Sequence, residues 1–567
     1  MSNRFTLIIA GGLLVIMFSM AVFSIKDDSL TMDELAHLPA GYSYLTQKDM
    51  RLNPEHPPLI KDLSAVPLLF LDGINFPSDI KAWKDDVNGQ WEFGSYFLYK
   101  AGNPTDQMIF WGRIPMILLL ILLGVYVFKW ARELIGDKGA LLALFLFSFS
   151  PTFLTHGRLV TTDVGAAAAI FIATYYFIKA LKNQSKRNII LAGIALGLAQ
   201  LLKFSVILLF PFFFFLIIIW WLIKLGSLKN ALKTLIFVVI ISFLVIGPVY
   251  QYHVWNYPPE RQLSDAKVSI ADYPDIIKEP IFWAAENPFL QGYSQYFTGL
   301  FMVFQRAAFG HTTYFMGEIS NLGWKSYFPI VYAIKVPLAF HILTLTALLY
   351  ALWSIRKRKF LEKLRTYFPE FAMISFIGLY WFTSLSSNLN IGVRHLLPTF
   401  PFLILLVSKV TINWLKEPFL KIKYILLALL LLWQGASVAL VYPHFLSYFN
   451  ELVGGPDKGY IYTVDSNLDW GQDLKRLAQW VDENNIEEIK IAYFGGADPI
   501  YHLGDKAQYF SWEEPQKGWI AVSATFLQVG RGIPIPGLNE SSGYFNWLND
   551  YTPVTKIGYS IFIYYIE

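Results

Sequence analysis

Two adjacent carboxylates, Asp33 and Glu34, stand just after the first apolar segment, and His37 follows Asp33 by one helical turn on the same face. Later in the same stretch "RLNPEHPPLIK" adds Glu55, His56 and Lys61, with Pro54, Pro57 and Pro58 stiffening the backbone around them as a preorganised site requires. Three further connections bring polar groups to the ends of apolar segments: His156, Arg158 and Asp163 in "THGRLVTTD", Lys203 in "LLKFS", and Asn388, Asn390, Arg394 and His395 in "NLNIGVRHLLP". Guanidinium and ammonium groups pair strongly with phosphate oxygens, so Arg158, Lys203, Arg394 and His395 are the groups suited to hold a phosphate at headgroup depth. The carboxylate pair and Lys203 have plainer readings. Asp33 and Glu34 suit the positive end of a juxtamembrane helix, and a lone Lys203 at a helix end snorkels to the headgroups. Their density in so apolar a chain is what speaks for chemistry.

The elements that must position these groups are membrane helices. Of 567 residues, 55% are hydrophobic, 17% aromatic and only 16% charged, which lies outside the soluble globular range. The net charge of +4 comes from dispersed basic residues, which gives no footprint for nucleic acid. Cysteine is absent, so disulfides and thiolate metal sites are excluded. A span takes about 20 apolar helical residues, and the expectation is eleven: roughly 5–25, 107–129, 139–155, 164–179, 189–202, 206–223, 235–251, 328–353, 371–386, 396–410 and 424–441. The first is too long for a signal-peptide core and lacks a small-x-small cleavage site, so it reads as a retained helix. The connections "KWARELIGDK", "KALKNQSKR", "KLGSLKNALK", "SIRKRKFLEKLR" and "NWLKEPFLKIK" carry several Lys and Arg each, whereas "HGRLVTTD", "LLKFS" and "SSNLNIGVRH" carry one apiece. The positive-inside rule then sets the amino terminus in the cytoplasm of a cell bounded by this membrane, and the loops 27–106 and 252–326 and everything after 443 outside it.

Residues 1–443 thus read as a transmembrane unit, and 444–567 as an extracytoplasmic α/β domain. In the latter "YIYTVDS" reads as a strand, "DLKRLAQWVDENN" as an amphipathic helix capped by Asp473, and "EIKIAYFGG" as a second strand, a β-α-β unit followed by strands at "GWIAVSA" and "IGYSIFIYYI". "DSNLDWGQD" spaces Asp465, Asn467 and Asp469 like a calcium loop, but Trp470 replaces the glycine and Arg476 the bidentate Glu, which favours a strand-to-helix turn. "FGGADP" lacks G-x-G-x-x-G and reads as a turn. "PAGYSYL" reads as an apolar surface helix at the headgroups.

The Asp-Glu pair after the first helix, "HPPLIK" in the same loop and "HGRLVTTD" before the fourth span together resemble the GT-C glycosyltransferases, most closely the protein O-mannosyltransferase and aminoarabinose lipid A transferase group. The resemblance covers the membrane part, about the first 440 residues. It implies an α-helical polytopic fold of about eleven transmembrane helices and an enzyme that moves a sugar from a polyprenyl-phosphate donor to an acceptor hydroxyl on the extracytoplasmic face, with inversion. The acceptor would be a protein, lipid or glycan.

Carried over by position, the resemblance makes Asp33 the general base, with Glu34 completing the pair. His56, Pro57, Pro58, Leu59 and Lys61 match the "HPPLGK" pattern with Ile60 in place of its glycine, and Asp163 matches the second-loop acidic residue. Glu55 matches an acidic residue that lies near a bound metal in aminoarabinose transferases, which extends to Glu55 and His56 as ligands of a divalent metal; no cofactor is required. His37, Glu55, His56, Lys61 and Asp163 would shape the site, and Arg158, Lys203, Arg394 and His395 would hold the carrier phosphate. Two rival readings are a transporter or lipid-linked sugar carrier, whose charges would gather near the bilayer midplane on broken helices, and a membrane-anchored binding protein working through its α/β domain.

Overall fold

The structure is a computed structural model that describes residues 3–355, 360–416, 420–536, 538 and 543–567. Parts of the basic connections "SIRKRKFLEKLR" and "NWLKEPFLKIK" lie outside the described residues. The protein is a helical membrane protein. Among the described residues seven helices are long and apolar enough to cross a bilayer: Asn3–Ser24, Thr105–Ile135, Asp163–Lys182, Phe204–Leu222, Leu228–His253, Val393–Trp414 and Lys421–Val441. The helices Tyr327–Lys335 and Leu338–Ser354, bent by 112° at their junction, make an eighth if taken as one span.

The expected count of eleven is therefore not confirmed. The segment 139–155 breaks into Asp137–Ser148 and Pro151–His156, because Pro151 has no N–H to continue the first helix and sits instead at the first position of the second. Segment 189–202 is the helix Lys186–Gln200, whose 15 residues fall short of a full crossing. These shorter helices still pack in the bundle, which shares one apolar core from Met17 through Phe147, Phe171 and Phe213 to Phe402.

The loops 27–106 and 252–326 and the region after 443 gather at one end of the bundle. A second core joins Leu30 and Tyr44 of the first loop, Tyr250 at the end of the span Leu228–His253, Tyr296 of the central loop, and Leu474 and Ile489 of the carboxyl-terminal region. The first loop is built on the helices Met32–Gln47 and Leu59–Ala65, which cross closely. Gly41 permits that crossing: a Cβ there would lie 2.1 Å from the Lys61 carbonyl oxygen. "PAGYSYL" is thus buried within the protein rather than resting on headgroups, with Pro39, Ala40, Gly41, Ser43 and Tyr44 all inaccessible. Lys61 sits beneath it, fully buried, donating to the Tyr44 hydroxyl (2.7 Å) and to the carbonyls of Asn53 and His56 (2.7 Å each). It ties together the chain on both sides of Glu55.

The carboxyl-terminal region forms a five-stranded sheet. β3 (Ile489–Ala492) runs parallel to β4 (Ala507–Gln508) and β5 (Gly518–Ser523), and β8 (Ile561–Ile566) runs antiparallel to β5 and β7 (Thr555–Ile557), in the order β4-β3-β5-β8-β7. A smaller sheet pairs β1 (Thr313–Phe315) and β2 (Glu318–Ser320) of the central loop with β6 (Ile533–Pro534), so this region is stitched to the membrane part. "YIYTVDS" is not a strand. It forms two 3-10 turns, Gly459–Ile461 and Asp465–Asn467, with one bridge from Thr463 to Phe315. Asp465 takes a positive φ of 53° and its carboxylate accepts the Ser466 N–H, a local turn that outcompetes extension. The helix Leu474–Glu483 forms as expected, and Asp473 precedes it, but the Asp473 carboxylate accepts from Arg476 and Ser560 instead of from a helix N–H.

Candidate active site

"TMDE", Thr31 to Glu34, has the spacing of a capping box, and this local geometry separates the two carboxylates. Glu34 folds back over the helix start and accepts from the Thr31 N–H (2.9 Å); it also accepts from Arg113 Nε and Nη2 (2.9 and 2.6 Å) and from the Val160 N–H (2.9 Å). Its side chain is wholly inaccessible, and it clamps three segments together. Burial pulls its carboxyl pKa upward, but Arg113 and these donors outweigh burial and leave it lowered. Glu34, expected to share the chemistry with Asp33, does not reach the cavity.

Asp33, one residue earlier and about 100° around the helix, faces a cavity of about 300 Å³. Its side chain is 28% exposed and pairs with Arg394 at 2.7 Å. Burial would raise its pKa; the Arg394 guanidinium, helped by His37, reverses this and holds it below the usual carboxylate value. Arg394 also reaches Asp163 at 3.4 Å, and Asp163 takes Lys203 at 2.6 Å, so the charges alternate from Asp33 through Arg394 and Asp163 to Lys203. Beneath the Arg394 guanidinium lies the Trp470 ring, with its centroid 4.2 Å away, a cation–π platform from the carboxyl-terminal region.

His37, Glu55, His56 and His395 line the same cavity. The His37 Nδ1 lies 2.9 Å from the Val160 carbonyl, and burial lowers its pKa despite the neighbouring Asp33. A neutral ring that donates from Nδ1 has its other nitrogen free to accept. His56 packs edge-on against it at 5.0 Å, and burial pushes its pKa well down. Glu55 accepts from Gln90 (2.6 Å) and Asn88 (3.0 Å), one bond to each carboxylate oxygen. These donors occupy Glu55, and among the described residues no three His, Asp or Glu side chains converge as a metal would need. The donor set at Glu55 and His56 therefore does not fit a metal.

Lys61 stays behind the wall, and Arg158 lies elsewhere. Arg158 is buried against Asp28 (2.5 Å) and the Ser24 carbonyl (2.9 Å), and Asp28 in turn holds Arg476 at 2.7 Å. It fastens the carboxyl-terminal region to the first span instead of holding a ligand. Charge and sidedness alone could not foresee a partner 130 residues away in sequence. The cavity also contains Arg306, which sequence reasoning missed. It lies on the amphipathic helix Gln291–Phe309 of the central loop, and its signal was a lone cation on the polar face of that helix. Beyond the charges, Phe204, Ile207, Leu208, Val303 and Phe304 make an apolar wall.

Fold and site define a membrane-embedded protein whose cavity joins a charged, loop-side mouth to an apolar wall. Residues 105–250 match the family model described as dolichyl-phosphate-mannose-protein mannosyltransferase, which bears out the resemblance drawn from the sequence. Solved structures similar to the chain include ArnT from Cupriavidus metallidurans bound to undecaprenyl phosphate (11% identity, 100% of this chain and 98% of that one, TM-score 0.49). They also include the S. cerevisiae protein O-mannosyltransferase Pmt1-Pmt2 complex bound to the sugar donor (18%, 46% and 35%, TM-score 0.34). A third is the apo oligosaccharyltransferase of Archaeoglobus fulgidus (13%, 96% and 65%, TM-score 0.48). No curated protein matches the chain in sequence. None of the proteins named here supports the transporter or binding-protein reading.

Proposed function

We propose that the protein is a glycosyltransferase that moves a hexosyl or pentosyl group from a polyprenyl-phosphate donor to an acceptor hydroxyl, with inversion. In this reading the amino terminus is cytoplasmic, and the loops and carboxyl-terminal region face outward from the cytoplasmic membrane. The observation that carries the reading is the placement of Asp33 and the Arg394–Asp163–Lys203 chain in one cavity with an apolar wall, within a chain whose residues 105–250 match the mannosyltransferase model.

Asp33 takes the proton of the acceptor hydroxyl as its oxygen bonds to the anomeric carbon. The bond from that carbon to the phosphate oxygen breaks, and the electron pair leaves on the polyprenyl phosphate. Negative charge then grows on the phosphate, where Arg394 and Lys203 stabilise it. Asp163 orients both cations, and the apolar wall takes the start of the prenyl chain. In the resting site Arg394 holds Asp33 a weak base; a phosphate that draws the guanidinium toward itself also relieves that restraint, so donor binding arms the base. Incubation of the purified protein with polyprenyl-phosphate sugars and candidate acceptors is expected to release carrier phosphate only when both are present. If no lipid-linked sugar binds, the reading falls.

A further inference from the structure

A second cavity, of about 220 Å³, lies between the central loop and the carboxyl-terminal region. A single extended segment divides it from the first: Leu389 and Ile391 line the site cavity, whereas Asn390 between them lines the second, the alternation of an extended chain. Asn390 is 2% exposed, and its Oδ1 accepts the Trp324 N–H at 2.7 Å, but its amide nitrogen is buried without a partner. The His311 ring is 34% exposed, but its Nδ1 is covered and unpartnered, while its other nitrogen lies 3.8 Å from the Asp465 carboxylate. Phe494 and Phe526, 5.6 Å apart and edge-to-face, supply apolar ring surfaces in the same cavity. Two unsatisfied buried nitrogens in a native fold ask for a partner.

We propose that this cavity binds a sugar ring of the acceptor, so that the acceptor is a glycan. This rests on the transfer reading above. A sugar presents C–H faces to aromatic rings and, at its edge, hydroxyls that both donate and accept, as the Asn390 amide, His311 and the Asp465 carboxylate require. A peptide is served less well. At this cavity the outer edge of β1 is already engaged by the Phe315–Thr463 bridge and by the Met316 N–H to the Tyr462 carbonyl, so β1 offers an extended chain little edge to join.

The test uses the full chain in nanodiscs. Binding of methyl glycosides of hexoses, pentoses and N-acetylhexosamines is read by saturation-transfer NMR, and binding of undecaprenyl phosphate is measured in parallel. The variants are Asn390→Asp, which keeps the bond to Trp324 but removes the free N–H, and His311→Ala with Phe494→Ala. The parent is expected to bind at least one glycoside, each variant to weaken it by about two- to tenfold, and undecaprenyl phosphate binding to stay unchanged. No glycoside binding, equal binding by the variants, or binding of serine- and threonine-bearing peptides in place of glycosides would overturn the proposal. Glycoside binding that follows the expected pattern while undecaprenyl phosphate fails to bind the parent would uphold the sugar cavity and sink the transfer reading.

Discussion

Substituting the neighbouring carboxylates separately tests the division of labour between them. Asp33→Asn keeps the size and an oxygen that can accept from Arg394 across the present 2.7 Å, so the fold is expected to stand. It loses the base, and positioned general bases contribute about 10²- to 10⁴-fold, equivalent to about 3–5 kcal/mol of barrier. Carrier-phosphate release should therefore fall by that factor. Undecaprenyl phosphate affinity should hold or tighten, because Arg394 is no longer neutralised by a carboxylate. Glu34→Gln does the reverse. It strips the charge from a fully buried pair and leaves the Arg113 guanidinium without its directly paired carboxylate, a change that costs about 3–5 kcal/mol of stability. The assays are single-turnover release of carrier phosphate and thermal unfolding of the purified variants in detergent. A release rate for Asp33→Asn within about threefold of the parent's, well short of the factor expected of a base, would refute the role of Asp33. Equal stability of Glu34→Gln and parent would refute the clamp.

Other outcomes follow from the same geometry. Lys203→Met removes a charge-assisted contact, and undecaprenyl phosphate affinity, measured by calorimetry, is expected to weaken by about 10- to 100-fold at about 1.5–3 kcal/mol. Trp470→Ala takes away the ring under Arg394 and should weaken the same affinity by about 0.5–2 kcal/mol, without touching the cavity's other charges. Gly41→Ala drives a methyl into the Lys61 carbonyl, and thermal unfolding should report a loss of stability. Burial brings the Lys61 pKa down to about 7 against the raising effect of Glu55 and Asp62. Between that value and its ordinary 10.5 the native protein binds fewer protons than the unfolded chain, so parent stability should rise with pH relative to Lys61→Met. The slope is at most about 1.4 kcal/mol per pH unit, and unfolding midpoints across that window check it.

The residue types of the site were legible because ionisable groups are rare in this chain and stand at the ends of apolar segments. Asp33, Glu55, His56, Asp163, Lys203, Arg394 and His395 do meet in one cavity. What separates Asp33 from Glu34 was present in the T-x-x-E spacing but needs Arg113, 79 residues on, to become a buried clamp. Arg158 looked like its fellow cations until Asp28 claimed it, a pairing set by tertiary packing that no local pattern encodes. Hydropathy found the helices but not their lengths, since a proline at 151 and a short Lys186–Gln200 helix change which of them cross fully. The strand at "YIYTVDS" failed for a local reason: alternation was there, but Asp465 bends the chain back on itself.

The platform beneath Arg394 comes from Trp470, which lies beyond the last span in the chain. A charge on one of the spanning helices is thus completed by a ring well outside them in sequence. Without that region Arg394 would lose the ring beneath it, and Asp28 and Arg158 would lose Arg476. In the proposed reading a chain lacking this region would hold the carrier phosphate less tightly while Asp33, Asp163 and Lys203 kept their own partners.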